Sequence, residues 1–380
     1  YETGLDDDSV AEVFFIYPET GFADQKSAEL QLFGDFGAWD FVAGLYRFEE
    51  EGGNRQDPSW FLGPGVFINY QETESNAIYG NVGFQVTDAL RLAVGARYTE
   101  DDKFAHTEPV VGAISATTEQ DWSETSWELS AAWQMNDRLN LYGVIQNGYQ
   151  SGQFPARAFC LFWDPDCYVA SDNVTAVNYE VGLKGQPTDR LSMAVAIFYT
   201  DYTDLPYQIS DQEGGEGFNT INLIVDQTTT GFEWESHWAA TDQFMLHATL
   251  GYLNVDVKDP NPVVTAPVTP EWTGSISPEF TQPLGNGGSI VWRADISYRG
   301  DMYGQPFTNV PLTNIDSRTL LNVDVAYHDP NDRWLLGFYG RNVTDEKYDN
   351  ARVLPTDYVL VILNNDRSEF GLRFMYNFGL

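Results

Sequence analysis

Two cysteines, four histidines and a large excess of carboxylates are the side chains here with chemistry to offer. Cys160 and Cys167 bracket Leu-Phe-Trp-Asp-Pro-Asp, with no histidine nearby in sequence. A structural zinc site needs four ligands at closer pair spacing. The pair therefore reads as a local disulfide formed in an oxidising compartment, which stiffens a loop and does no chemistry. The histidines at 106, 237, 247 and 328 are scattered. His237, His247 and His328 fall near tight turns on the polar side of their strands, a place that suits a histidine satisfied by a neighbouring carboxylate. Nothing resembles a Ser-His-Asp set, a phosphate loop or a paired-carboxylate glycosidase site. The expectation is a protein that is not an enzyme and needs no cofactor.

The chain has 56 acidic and 20 basic residues, a net charge of −36. That balance excludes binding to nucleic acid or to anionic lipid through a basic patch. Acid gathers at 5–9 (LDDDS), 49–53 (EEEGG), 100–103 (EDDK) and 211–217 (DQEGGEG). These stretches are solvated acidic loops or weak divalent-cation sites, and none has EF-hand spacing. Asn173 and Asn342 each open an Asn-Val-Thr triplet, read as chance.

A recurring phrase says what positions these groups. It is TDALRL at 87–92, NDRLNL at 136–141, TDRLSM at 188–193, TDQFML at 241–246 and NDRWLL at 331–336. Each copy is a turn dipeptide followed at once by alternating apolar residues, because Asn, Asp and Thr side chains bond nearby backbone. Further turns fall at Asp35-Phe36-Gly37-Ala38 and Gly285-Asn286-Gly287-Gly288. A spacing of roughly 50 residues is too long for a solenoid of small repeats. It fits a strand, a tight turn, a second strand and a long return loop.

After each turn, alternate residues face opposite sides of a strand. Leu191, Met193, Val195, Ile197 and Tyr199 form one set, and Phe370, Leu372, Phe374, Tyr376 and Phe378 another. The opposite parity carries Arg91, Arg97, Glu128, Glu233, Glu235, Arg293, Asp295, Arg299, Asp324, Arg341 and Arg373. Aromatics, 15% of the chain, collect beside the short turns at Trp39, Trp133, Trp238, Phe244, Trp334 and Phe378. A soluble sandwich gives the same alternation with its apolar face inward, but these strands run to about ten residues or more, against the usual five or six. An apolar outer band, aromatic girdles and a polar interior describe an all-β, antiparallel transmembrane barrel. Fifteen strands are expected, the first near 25–34 and the last near 367–378, with residues 10–17 (VAEVFFIY) as a possible sixteenth.

Several segments resemble the barrel of TonB-dependent outer-membrane receptors. They are VGARYTEDDK (94–103), LYGVIQNGYQSGQF (141–154), NYEVGLKGQPTDRLSMAVAIFYTDYTDL (178–205), TPEWTGSI (269–276), RNVTDEKYDN (341–350) and FGLRFMYNF (370–378). The likeness spans residues 25–378 in the family's order. It implies that residues 25–380 form the C-terminal part of a 22-stranded barrel, strands 8 to 22, and residues 1–24 an extracellular loop or partial strand. The family's plug and TonB-contacting segment have no counterpart in these residues. Gly379-Leu380 also extends past the aromatic on which family members tend to end.

The resemblance further implies a bacterial outer-membrane receptor that imports a scarce, large ligand by energy coupling. A ferric siderophore is the first choice, with cobalamin, haem or an oligosaccharide open. Implied partners are the TonB–ExbB–ExbD system through the plug, outer-membrane lipid and lipopolysaccharide, and the small-molecule ligand. Ligand contacts are expected from Trp60, Phe61, Phe159, Phe162, Trp163, Tyr168, Tyr207, Tyr303 and Phe307, in aromatic-rich loops. These aromatics can equally pack loop against loop. Two other readings stay open: a passive sixteen-stranded porin, and a structural barrel within an envelope assembly.

Overall fold

A computed structural model describes residues 2–6, 16–56, 59–60, 63–64, 67–109, 115–154, 168–210, 220–356, 359–364 and 367–378. Fifteen long strands follow one another in antiparallel order. They are β1 (Ile16–Asp35), β2 (Trp39–Gln56), β3 (Phe67–Thr87), β4 (Leu90–Pro109), β5 (Ala116–Asn136), β6 (Leu139–Gln150), β7 (Val174–Thr188) and β8 (Leu191–Ser210). Then come β9 (Thr220–Ala239), β10 (Phe244–Lys258), β11 (Trp272–Pro283), β12 (Ser289–Arg299), β13 (Arg318–His328), β14 (Trp334–Arg341) and β15 (Glu369–Tyr376). Short strand pairs occupy the longer connections, at 302–303 with 314–315 and at 349–356 with 359–364.

Tight-turn chemistry sets where the strands begin. Asn136 Oδ1 accepts from Arg138 N at 2.9 Å and Leu139 N at 3.1 Å. Thr87 Oγ1 accepts from Leu90 N at 3.1 Å, and Thr241 Oγ1 from Phe244 N at 3.0 Å. Asp35, Asn286 and Asp329 play the same part in their turns. Such side-chain bonds pin the residue at which each new ladder starts. Neighbouring turns are also tied along the rim by Arg138–Asp189 at 2.5 Å and Arg190–Asp242 at 2.6 Å.

The register then separates a continuous apolar face from a mainly polar one. One row of ladder partners runs Phe280, Trp292, Val325, Phe338 and Leu372, from β11 to β15. The adjacent row runs Glu279, Arg293, Asp324, Tyr339 and Gly371. Farther round the wall, Val82, Val94, Leu129, Ile145, Tyr179 and Tyr199 lie beside Gly95, Glu128, Gln146, Asn178 and Thr200. The apolar residues stay exposed, Leu372 at 78% and Ile197 at 60%. A water-soluble sheet would bury them, so the exposed band is a lipid-facing surface. Trp39, Trp133, Trp238, Phe244 and Trp334 lie on this face at its short-turn edge. No helix among the described residues is long and apolar enough to cross a membrane.

The long-loop end departs from expectation in extent. The first strand starts at Ile16, so residue 25 lies inside it, and residues 2–6 pair with 16–20. Ile16 and Tyr17 therefore belong to β1, whereas residues 10–15 lie outside the described set. Strands of about 20 residues greatly exceed the roughly 9–11 needed to cross a bilayer, so β1–β5 and β8–β9 rise well beyond the apolar band. β15 pairs with β14 and β1 with β2; among the described residues no ladder joins β15 to β1.

Asn342, within RNVTDEKYDN, sits at φ 43 and is buried. Its side chain donates to Glu346 O and accepts from Glu346 N, both at 2.9 Å, while its own N donates to Asn322 Oδ1 at 2.9 Å. Left-handed backbone favours Asn, whose short amide bonds locally. The triplet that begins here is thus a strand-end clasp whose amide is already engaged.

Candidate ligand cleft and the polar wall

Beyond the apolar band, β1–β4 and the segments flanking 155–167 line an open cleft of about 810 Å³, with Tyr46, Asn54, Asn69, Asp101 and Lys103 on the polar parity and Phe22 and Tyr70 on the opposite one. Lys103 lies thirteen residues along β4 from Leu90, or about 43 Å at 3.3 Å per residue. Aromatic walls come from Phe22, Tyr46, Tyr70, Phe154 and Tyr168, with Asn54, Asn69, Asp101 and Lys103 among the polar lining. One corner is tightly built. Lys103 Nζ donates to Gly152 O at 2.9 Å and stands 5.5 Å over the Trp122 ring. Tyr149 donates to the buried Asp101 at 3.0 Å. Burial pushes the Lys103 ammonium below its usual pKa, against the opposing pull of Asp101 and Glu50.

The loop base beside this corner is clamped. Ser171 N donates to Gln153 O at 2.9 Å, and Gln153 N to Ser171 Oγ at 3.0 Å. Gly152 is required there, because a Cβ would lie 1.9 Å from Ser171 O and 2.6 Å from Trp122. Phe154 and Tyr168 stack at 6.0 Å, and Tyr168 is buried with Ala105. Among the described residues, Tyr168 is the expected ligand aromatic that reaches this cleft.

Tyr207 and Phe307 meet in a different place. Tyr207 is buried with Val225, Val264 and Ala266, and Phe307 packs against that cluster. Tyr207 donates to Gln227 Oε1, and Tyr303 O accepts from Val268 N at 2.7 Å. Tyr207, on β8, and Phe307 pack together there, and Tyr303 joins through its main-chain carbonyl. The side chain of Trp60 and residues Phe61, Phe159, Phe162, Trp163, Cys160 and Cys167 lie outside the described set, and with them the expected disulfide. Sequence reading did not single out Asp101, Trp122 or Phe154 as site residues, and met Lys103 only within an acidic run. Parity was the available signal, since Asp101 and Lys103 continue the polar face begun by Arg91 and Arg97.

Below the cleft, the eleven expected charged positions share the polar face through the ladder register. Arg91 grips Asp40 with two bonds, at 2.6 and 3.0 Å. Arg97 spreads between the rings of Tyr46 and Tyr79, at 5.1 and 5.7 Å. Arg373 donates to Asp324 at 3.1 Å, Arg293 meets Asp295 at 3.5 Å, and Arg299 donates to Asp316 O at 3.3 Å. Arg341 lies 5.7 Å over Tyr339, and Glu235 accepts from His237 at 3.2 Å. Glu233 lines a polar recess with Glu180 and Lys184, and Glu128 pairs with Gln146. Tyrosines complete the wall by lying flat over glycines. Tyr142 crosses Gly182 to donate to Glu180 at 2.6 Å, where a Cβ on Gly182 would come within 2.4 Å of the ring.

The family model described as TonB dependent receptor-like, beta-barrel, matches residues 5–343. The chain belongs to this family. It is a family of outer-membrane transport receptors, and the exposed apolar band is what such a barrel presents to lipid. No curated protein matches the chain by sequence. Among solved structures, the ferric yersiniabactin uptake receptor FyuA from Yersinia pestis superposes with a TM-score of 0.79 at 17% identity. The match covers 95% of this chain and 55% of FyuA. BauA, the ferric preacinetobactin receptor from Acinetobacter baumannii, gives 0.66 at 16% identity, covering 95% and 55%. The ferripyoverdine receptor of Pseudomonas aeruginosa gives 0.69 at 15%, covering 94% and 48%. The chain thus spans about half the length of these receptors, and likeness at such identity concerns the fold.

Proposed function

We propose that this TonB-dependent receptor barrel takes up a ferric siderophore across the outer membrane, with energy delivered by TonB–ExbB–ExbD. In this reading residues 25–380 are the C-terminal part of a 22-stranded wall. The short turns face the periplasm, the tall ends of β1–β5 and β8–β9 face the exterior, and the polar face lines the lumen. The observation that carries the proposal is the cleft at the exterior end. Its volume suits a drug-sized chelate, and ring faces with a few convergent polar groups are what such ligands need. Tyr46, Phe48 and Phe154 offer apolar contact, while Asn54, Asn69 and Lys103 offer donors. The three receptors above carry ferric ligands in their names, which supports the choice over cobalamin, haem or a sugar.

The charges lower down have the complementary task. Arg91, Arg97, Glu128, Glu233, Glu235, Arg293, Asp295, Arg299, Asp324, Arg341 and Arg373 keep the lumen wetted and give a plug polar partners. Their ion pairs are half-exposed and add little stability. Lipid and lipopolysaccharide meet the apolar band and its rim. A sixteen-stranded porin would require β15 to pair with β1, and the described residues hold no such ladder.

The test is uptake of radioactive iron by cells carrying or lacking the gene. The probes are catecholate, hydroxamate and phenolate siderophores, with labelled haem and cyanocobalamin alongside. Uptake of one iron chelate should require the gene and stop when a protonophore collapses the inner-membrane gradient. Lys103→Ala with Phe154→Ala should weaken its binding by more than about tenfold. Uptake that survives the protonophore would replace the receptor with a passive pore.

A further inference from the structure

We propose that Glu235, His237 and His247 form a binding site for a divalent transition-metal ion of the zinc class, on the polar face near the short turns. This site is separate from the ligand cleft and does not rest on the uptake proposal. His237 on β9 and His247 on β10 are direct ladder partners, and Glu235 is two residues before His237 on the same face. The imidazoles stack with centroids 4.1 Å apart and planes 4° apart. Both Nε2 atoms lie near one oxygen: His237 is 3.2 Å and His247 3.6 Å from Glu235 Oε1. All three candidate ligand atoms fall within 4.8 Å of one another.

A plain hydrogen bond explains only half of this. The 3.2 Å contact is a bond from His237 to Glu235, whereas 3.6 Å is too long for one. His247 Nε2 is nevertheless shielded from solvent and has no hydrogen-bond partner. A tetrahedral ion with bonds of about 2.0–2.1 Å holds its ligand atoms about 3.3 Å apart. The 3.2 and 3.6 Å separations to Glu235 Oε1 bracket that edge. Because an imidazole's lone pair lies in its ring plane, one of the two near-parallel rings turns about χ2 to share the ion with the other. Two imidazoles and a carboxylate select zinc, copper or nickel over calcium or magnesium, which take oxygen ligands. The ladder fixes the backbone under both histidines, and Ser192 and Ser277 occupy the flanking positions of the same row. A fourth coordination position opens toward the polar side, for water or a donor from another segment.

The test uses the whole protein extracted from membranes in detergent and stripped with a chelator. Zinc titration against a chromophoric competitor should find one tight equivalent. His237→Ala and His247→Ala should each weaken it by at least about tenfold. The pair His106→Ala and His328→Ala should leave it unchanged. Copper loaded at one equivalent should show hyperfine coupling to two imidazole nitrogens, lost in the His237→Ala/His247→Ala double variant. Heat-shifted gel mobility checks that each variant is folded, with His247→Gln as the milder replacement. Wild-type zinc affinity in the folded double variant, or a copper spectrum without two nitrogens, overturns the site.

Discussion

Tyr168 illustrates how one residue serves both the loop and the cleft. Its ring closes against Ala105 and Phe154, so part of what looks like a ligand surface is spent holding the loop base. Burial also raises its phenol from 10 to about 12. A raised pKa means that the fold prefers the protonated phenol. That preference stabilises fully below pH 10 and is lost as pH climbs from 10 through about 12. In the folded barrel, the phenolate absorbance difference between wild type and Tyr168→Phe should therefore centre near pH 12. A difference centred at pH 10 would place the ring in water and remove it from the loop base.

At the scale of elements, the short-turn ends were legible and the far ends were not. Leu90, Leu139, Leu191, Phe244 and Trp334 begin their strands where the recurring phrase places them, because side-chain bonds in each turn leave one register. The far end of β4 runs to Pro109. There both faces meet water, so Asp101–Asp102–Lys103 carries no apolar stripe to mark a strand. The cleft is built from those same polar extensions, which is why parity alone could have found Lys103 and Asp101. Trp122 is the ladder partner of Asp101 on β5 and carries the same parity, whereas Phe154 depends on a loop folding back, which no periodicity records. The legible half supports a sharp contrast within β8. Val195→Arg puts a guanidinium in lipid near the middle of the apolar band and should cost about 2–4 kcal/mol. Ala194→Arg faces the recess holding Glu233 and Glu235 and should cost far less. Urea unfolding in lipid vesicles reads both, and equal losses would show that the two faces are not lipid and water.

For the whole molecule, 56 acidic against 20 basic residues set the long-range field that any ligand meets first. Much of the acid stands at the tall ends: Glu49, Glu50, Glu51, Glu72 and Glu74 on β2 and β3, and Glu100, Asp101 and Asp102 on β4. Lys26, Arg47, Arg55 and Lys103 are basic residues among them, and Arg47 is already held by Glu49 at 2.6 Å and Glu74 at 3.0 Å. Such a field acts over about 30 Å at 0.01 M salt and about 8 Å at 0.15 M. A cationic or neutral iron chelate should therefore approach more easily than an anionic one, and the difference should shrink as salt rises. Stopped-flow association of two chelates of opposite charge, at low and at physiological salt, reads this directly. The cationic chelate's on-rate should fall with salt and the anionic one's should rise, with dissociation rates nearly constant. An anionic chelate whose association slows as salt is added would mean that the entrance is locally basic. The few cations there, Lys103 foremost, would then outweigh the acidic rim in guiding the ligand.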